Sequence, residues 1–523
     1  MPYQYRPYPY TKPPGLAAPE PAKPVIIVGA GPVGLAMAIE LAGHGVASVV
    51  LDDNNVVSLG SRAICWSRRS LEIFDRMGIA GRVMDKAVPW RRGRVFHGEK
   101  ELFQTDLVAE GEADAFAEAH AFPVFANLQQ YYVEEYLIER VCQLDLIDLR
   151  VRNRVSAVEQ SEESAHVTVE TPDGQYGLRA AYVIACDGAR SSIRSRLKLD
   201  FTGVQSEDRF VIADIEMETG LPAERQFWFE PPFHDGRTAL LHKQPDNLWR
   251  LDLQLRPEDD AEAAVKPDNL RPRIAAMLGH EHFRLDWVSL YSFQCRRLAD
   301  LVHGRLIFAG DAAHVVSPFG ARGANGGLQD VDNLGWKLAA VIEGRATPGL
   351  LESYDRERGL AADENLRSTA RTRRFMSPAR GAERMFRDQV LALAAKARFA
   401  RPMVDSGRLS ASSRFPCSGA DDSRLPPGAR PGTVAPDAPQ GNGWLLPQLA
   451  GEPSLLALGC AAPDLGLRVV EAELNEATRA RYLGEAEHAL YLVRPDQVVA
   501  ARWVAAEPAA ITAAITAMWE GRP

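Results

Sequence analysis

The chain has 523 residues, 46% apolar and 25% charged, which is length for three to four domains and too much apolar surface for wholesale disorder. Its net charge of −9 is spread along the sequence, so a nucleic-acid partner is not expected. The six cysteines are scattered, with no C-x-x-C spacing. That excludes a disulfide framework, gives no metal or dithiol site, and fits reduced thiols in a cytoplasmic protein.

Residues 1–23, rich in Tyr and Pro, read as an extended arm without the apolar stretch of a secretory signal. The uncharged stretch from Pro24 to Ile39 is too short to span a bilayer, so no membrane association is expected. Val25–Val28 then reads as a short buried strand, Pro32–His44 as a helix with Leu35, Ala38, Ile39 and Ala42 on one face, and Ser48–Leu51 as a second buried strand. Strand, helix and strand in so few residues make a βαβ unit, hence a parallel sheet.

The turn between the first strand and the helix is Gly29-Ala30-Gly31-Pro32-Val33-Gly34. Gly29 makes the tight turn, Gly31 lets a pyrophosphate approach the backbone, and Gly34 lets helix and strand pack closely. The helix start then offers free N–H groups to phosphate. Asp52, 18 residues after Gly34, stands where a carboxylate accepts bonds from an adenosine ribose and repels a 2′-phosphate. These features fit FAD and NAD equally.

Val151–Cys186 reads as an antiparallel meander leading into a buried strand, Tyr182–Cys186, and ends at Asp187-Gly188. Residues 200–295 are strand-rich. On Leu248–Leu255, Trp249, Leu251, Leu253 and Leu255 alternate with Arg250, Asp252 and Gln254, giving one apolar face and one polar face turned to solvent or to a cavity. Leu306–Ala309 is a further buried strand, followed by Gly310-Asp311 and by the loop Pro318-Phe319-Gly320-Ala321-Arg322-Gly323-Ala324-Asn325. That loop feeds a helix with Leu328, Val331, Leu334, Leu338 and Val341 at helical spacing. Its N-terminal dipole would stabilise an anion on a ring above it; a reduced flavin carries that charge and a nicotinamide does not, which favours FAD. Residues 352–400 read as helical with a basic solvated face, 406–440 as a Ser/Pro/Gly-rich linker, and 441–523 as a smaller α/β unit.

Gly29/Gly31/Gly34, Asp187-Gly188 and Gly310-Asp311, in this order, resemble the class A flavoprotein aromatic monooxygenases, the para-hydroxybenzoate hydroxylase and phenol hydroxylase family, over roughly residues 24–400. Ser61-Arg62-Ala63, Gln130 ahead of Val133-Glu134, and Asn333-Leu334-Gly335-Trp336-Lys337-Leu338 also match its pattern, with 3-(3-hydroxyphenyl)propionate hydroxylase as the most similar type. Leu492-Val493-Arg494-Pro495-Asp496 and Ala501-Arg502 are similar to the thioredoxin-like C-terminal domain of the phenol-hydroxylase branch.

The resemblance implies an α/β fold: a Rossmann-like FAD-binding domain (24–80, 120–200 and 295–405), an inserted antiparallel-sheet substrate domain (81–119 and 201–294), the linker, and a thioredoxin-like C-terminal domain without redox activity. It implies an enzyme that uses NAD(P)H as transient donor and O2 to hydroxylate a small phenolic substrate through a flavin C4a-hydroperoxide. An oxidase or dehydrogenase without oxygen insertion, or a non-catalytic flavin-binding scaffold, stands as the alternative. By position, Asp52 holds the adenosine ribose, Arg62 and Gln130 lie on the pyrophosphate and ribityl side with Asp187, and Asp311 binds the ribityl chain. Pro318, Gly320, Gly323, Ala324 and Asn325 line the flavin and substrate, Arg250 lies near the flavin ring, and His242 or Tyr291 helps deprotonate a phenol. Arg322 departs from the family's usual loop, and faces either an anion or solvent. The family's C-terminal domain also hints at a homodimer.

Overall fold

A computed structural model describes residues 3–522 apart from 61, 108–115, 117–118, 236, 379–380, 405–408 and 418, so Ser61 and ten residues of the 81–119 segment lie outside the described residues. It is a mixed α/β protein with several sheets. The first sheet runs Val302–His303, Leu306–Phe308, Gly174–Ala185, Lys23–Val28, Ser48–Leu51, Ile147–Arg150. Every pairing from Leu306–Phe308 to Ile147–Arg150 is parallel. Val25, Ile26, Ile27 and Val50 are wholly buried, as the continuous β-branched runs require of strands covered on both faces. Gly174–Ala185 extends outward into an antiparallel meander with Ala165–Thr171 and Arg154–Gln160.

Helix Pro32–Gly43 packs against helices Gln130–Val141 and Gly323–Ile342. The last is longer than its apolar repeat announces: it starts at Gly323, inside the glycine-rich loop, and 16 of its 20 residues are buried.

The second sheet runs His314–Val315, Arg284–Leu298, Phe201–Glu216, Leu248–Gln254, Ala239–Lys243, Arg225–Phe229, Arg92–His97, Lys100–Asp106. All its pairings are antiparallel except Arg225–Phe229 with Arg92–His97. Trp249, Leu251 and Leu253 form one core face with Leu270 and Ile274 of helix Pro267–Leu278. Arg250 and Gln254 on the other face are buried as well, so that face does not look onto open solvent.

The C-terminal sheet runs Arg468–Glu471, Ser454–Leu458, Ala489–Val493, Val499–Trp503, with the first pair parallel and the others antiparallel. The parallel pair is joined by 459–467 without a helix, and helix Pro508–Trp519 follows the last strand. Residues 421–440 do not hang free: Leu425, Ala429, Ala435 and Ala438 share a core with Leu456, Tyr491 and Val499. No helix among the described residues is long and apolar enough to cross a membrane.

Candidate active site

Three strand ends of the first sheet meet at one cleft. At the first, Gly29 has φ +105°. A Cβ there would lie 2.4 Å from the carbonyl oxygen of Cys186, and one on Gly34 would lie 1.9 Å from that of Gly29. Gly31 has nothing within 4 Å of the corresponding point, so the turn leaves room where a pyrophosphate needs it. No side chain caps helix Pro32–Gly43, and its first N–H groups stay available to an anion. Asp52 follows Ser48–Leu51 and accepts from the backbone N–H of Ala30 (2.5 Å) and of Asn54 (2.8 Å). Burial raises its pKa. Asp52 therefore braces the glycine turn, and each carboxylate oxygen keeps a lone pair for a ribose hydroxyl.

At the second strand end, Asp187 Oδ2 accepts from the N–H of Ser192 (2.7 Å) and Ile193 (3.2 Å) and so anchors helix Ser192–Arg196. Its Oδ1 is buried with no protein donor, which leaves an acceptor for a hydroxyl-bearing ligand. Arg194 turns inward, donating to the carbonyls of Ala312 (2.8 Å) and Ala189 (2.6 Å), and ties the second strand end to the third.

At the third, Gly310 has φ +61°. A Cβ on Gly310 would lie 2.9 Å, and one on Gly327 2.6 Å, from Val33 Cγ2. The two glycines thus clasp the first turn of the dinucleotide helix. Asp311 is accessible to solvent yet walled by protein, as a carboxylate on the side of a deep cleft is. Burial raises its pKa against the charges of His314, Arg62 and Arg194. His314 lies behind it and is structural: its Nε2 is 2.8 Å from Asp330 Oδ2, and Asp330 also accepts from Gly310 N–H (2.9 Å) and Arg358 Nε (2.6 Å). Against the cost of burial, His314 and Arg358 hold Asp330 down at about 2.

The loop from Pro318 closes the cleft. Gly320 has φ +89° and Ala321 has φ +54°, a left-handed conformation unfavourable for alanine. Helix Gly323–Ile342 then begins with no side-chain cap. The N–H of Gly326 is bonded to the carbonyl of Arg322, which leaves those of Gly323, Ala324 and Asn325 for an anion. The Asn325 side chain is fully engaged: Oδ1 accepts from Ser67 N–H (2.9 Å) and Ser70 Oγ (2.6 Å), and Nδ2 donates to the carbonyls of Cys65 (2.9 Å) and Ala321 (2.5 Å). It fixes the loop and leaves only its backbone to the cleft. Pro318 is half-buried next to Phe319, whose ring meets Phe210 at 5.0 Å. Arg322 does not face solvent. It is buried, donating to Asn365 Oδ1 (2.6 Å) and the carbonyl of Leu409 (3.3 Å), because helix Gly349–Met376 offers it an amide there.

The far wall is the second sheet. Asp214, Arg250 and His242 stand side by side on adjacent strands. Arg250 donates to Asp252 Oδ1 (2.8 Å) and, across the cleft, to the carbonyl of Arg62 (2.7 Å). His242 is buried with Nδ1 unpartnered, and burial pulls its pKa down to about 3, so it is neutral at ordinary pH. Burial and the charge of Asp311 push Tyr291 up to about 12. Neither group is tuned as a general base near neutrality. The Arg62 side chain is exposed and its charge reaches both Asp311 and Tyr291, which places all three around one space. Gln130 braces the Arg62 loop, accepting from Ala63 N–H (3.1 Å) and donating to Glu134 (2.7 Å). Sequence reasoning missed Arg225, one position beyond the Gln226–Leu241 pair and close enough for its charge to act on His242. Only the register of two strands joins those residues, and no local pattern signals it.

The FAD-binding domain family matches residues 22–369. The chain is 33% identical over 355 residues to the 12-dehydrotetracycline 5-monooxygenase/anhydrotetracycline 6-monooxygenase of Streptomyces rimosus, covering 66% of this chain and 68% of that protein. It is 27% identical over 369 residues to the 3-(3-hydroxy-phenyl)propionate/3-hydroxycinnamic acid hydroxylase of Mycolicibacterium smegmatis, covering 70% of this chain and 64% of that protein. In fold it is similar to the flavin-dependent monooxygenase PieE, solved with FAD and substrate, at TM-score 0.80 and 23% identity over 97% of this chain and 100% of that one. A glycine turn closed to side chains except at Gly31, an orphaned carboxylate oxygen and an uncapped helix start fit FAD, and the chain belongs to the class A flavoprotein monooxygenases, FAD-dependent enzymes.

Proposed function

We propose that the protein hydroxylates a phenolic substrate with NAD(P)H and O2, the FAD lying lengthwise from Asp52 to Asn325. The observation that carries this reading is the uncapped helix start at Gly323–Asn325, next to Asp311, whose charge reaches Tyr291. When bound, FAD passes electrons from NAD(P)H to O2 and delivers one oxygen atom to the aromatic ring. The chain's own residues do the rest. Gly31 and the first turn of helix Pro32–Gly43 receive the pyrophosphate, Arg62 adds its charge there, and Asp52 and Asp187 accept ribose and ribityl hydroxyls. Asp311 takes a further ribityl hydroxyl. The N–H groups of Gly323, Ala324 and Asn325 stabilise negative charge on the ring above them.

Arg250, fixed by Asp252 and the Arg62 carbonyl, holds a positive charge over the opposite side. Neutral His242 and un-ionised Tyr291 present hydrogen bonds to a phenol and do not extract its proton outright. Phe210 and Phe319 exclude water from the apolar part of the site. The domain reading goes with it: a Rossmann-like FAD domain of 24–80, 120–200 and 295–405, a substrate domain of 81–119 and 201–294, and a thioredoxin-like unit of 441–523. The strand order of the last supports the likeness, and its lack of a crossover helix is a departure.

The test is NAD(P)H oxidation over a panel of phenols under oxygen-18. Label in a hydroxylated product is expected. Peroxide with unlabelled product would instead identify an oxidase, and FAD uptake without NAD(P)H oxidation would identify a flavin-binding scaffold.

A further inference from the structure

Residues ahead of the matched family domain reach the flavin site. The segment between strands Ser48–Leu51 and Cys65–Ser67 carries Arg62, and its described residues are bonded to groups from several elements outside it. From helix Gln130–Val141, Glu134 accepts from the N–H of Ser58 (2.5 Å) and Gln130 from that of Ala63 (3.1 Å). From the N-terminal arm, Tyr8 N–H donates to the carbonyl of Asn55 (2.7 Å) and Asn55 Nδ2 donates back to the carbonyl of Tyr8 (3.1 Å). The hydroxyl of Tyr5 accepts from the N–H of Gly60 (2.9 Å), two residues from Arg62.

Gly60 is pinned on its other side. It has φ +71°, and a Cβ there would lie 2.1 Å from the indole of Trp287, on the second sheet. The arm is itself held by ring packing: Tyr3 meets Tyr131 at 4.3 Å, Tyr5 at 4.9 Å and Tyr132 at 5.1 Å, and Tyr5 meets Tyr131 at 5.7 Å. Aromatic pairs at these spacings are attractive in addition to the area they bury.

We infer that the arm, through Tyr5, is a positioning element for FAD: it fixes the Gly60 backbone and thereby the Arg62 side chain on the phosphates. Tyr5 touches no substrate and is not catalytic. Among the described residues, the Tyr5 hydroxyl is the part of the arm bonded to the loop next to Arg62, so the effect is separable from the packing of the rings. This inference rests on the reading that Arg62 faces the FAD phosphates.

The experiment is titration of apoprotein with FAD, read by flavin fluorescence, in wild type, Tyr5→Phe, a chain lacking residues 1–9, and Arg62→Ala. Tyr5→Phe keeps the ring and loses only the acceptor. It should raise the FAD dissociation constant about threefold to tenfold, the effect of one hydrogen bond, at an unchanged melting temperature of the apoprotein. The shortened chain should raise it further, and combining Tyr5→Phe with Arg62→Ala should add little to Arg62→Ala alone. An unchanged dissociation constant in Tyr5→Phe, with Arg62→Ala weakened, would overturn the inference and leave the site reading standing. An unchanged constant in Arg62→Ala would sink the site reading itself, and the inference with it. If the shortened chain fails to fold, Tyr5→Phe decides.

Discussion

Asp311, the proposed ribityl ligand, combines burial with exposure. A carboxylate in bulk water gains little from one more donor, and one sealed in protein is unreachable. On the wall of a cleft, with Arg62 and Arg194 near enough to be felt, it gains a good deal from a hydroxyl. Asp311→Ala should weaken FAD binding by about 1–3 kcal/mol, measured by the same fluorescence titration, with the melting temperature of the apoprotein little changed. His242 gives a pH test. It takes a proton near pH 3 when folded, against its ordinary value of 6.5. Between those values the unfolded chain holds the extra proton, so stability falls as pH is lowered. His242→Asn removes that component, and its loss of stability between pH 7 and pH 4, measured by urea unfolding, should be smaller than that of wild type. At this scale the sequence was a partial guide. Asp187 and Asp311 are legible because each sits at a strand end next to a glycine, and Asp52 because it ends the second buried strand 18 residues after Gly34. The engagement of Asn325 and Arg322 was not legible, because Ser67, Ser70, Asn365 and Leu409 reach them only through the tertiary fold.

Among the elements, the first βαβ unit was readable almost to the residue, since buried parallel strands need continuous apolar runs and the crossover needs its glycines. The start of helix Gly323–Ile342 was not. Its apolar repeat begins at Leu328, while the preceding turn, Gly323-Ala324-Asn325-Gly326-Gly327, is mostly Gly and Asn, which packing and the Asn325 bonds hold helical against their low propensity. The close fit of these elements makes a sharp prediction. Gly34→Ala drives a methyl group into the carbonyl of Gly29. It should cost about 1–3 kcal/mol of stability through backbone displacement, together with loss of FAD retention on gel filtration. Gly31→Ala meets no protein atom, so it should keep the stability and lose the FAD. Equal stability losses in the two variants would mean that the turn is a fold element only.

Across the whole molecule, the C-terminal unit is bound to the FAD-binding part by buried charge. Arg494 donates twice to Glu357 (2.7 and 2.9 Å), and Lys337 donates to the same carboxylate (2.9 Å). Arg69 reaches from helix Arg68–Arg76 to Asp332 (2.7 Å), to Gln497 (2.7 Å) and to the Asp496 carbonyl (2.9 Å). Removing one partner strands the others. Glu357→Gln should cost about 3–5 kcal/mol and split chemical unfolding into an early transition of residues 441–523 and a later one. A single transition at the wild-type midpoint would show that apolar contacts hold the units together. The sequence hints at this seam through Asn333, Lys337 and Arg494, which lie in matched family patterns, but the spacing of 137 residues between Glu357 and Arg494 hides the pair itself. The proposed FAD lies along the adjacent strand ends at Gly29, Asp187 and Gly310, and so draws on several elements at once. A crystal structure of the FAD complex tests it most directly. The pyrophosphate should rest at Gly31 and the isoalloxazine over the N–H groups of Gly323–Asn325, with Asp311 on the ribityl chain. A reversed dinucleotide, or a ring lodged away from Gly323–Asn325, would contradict the account.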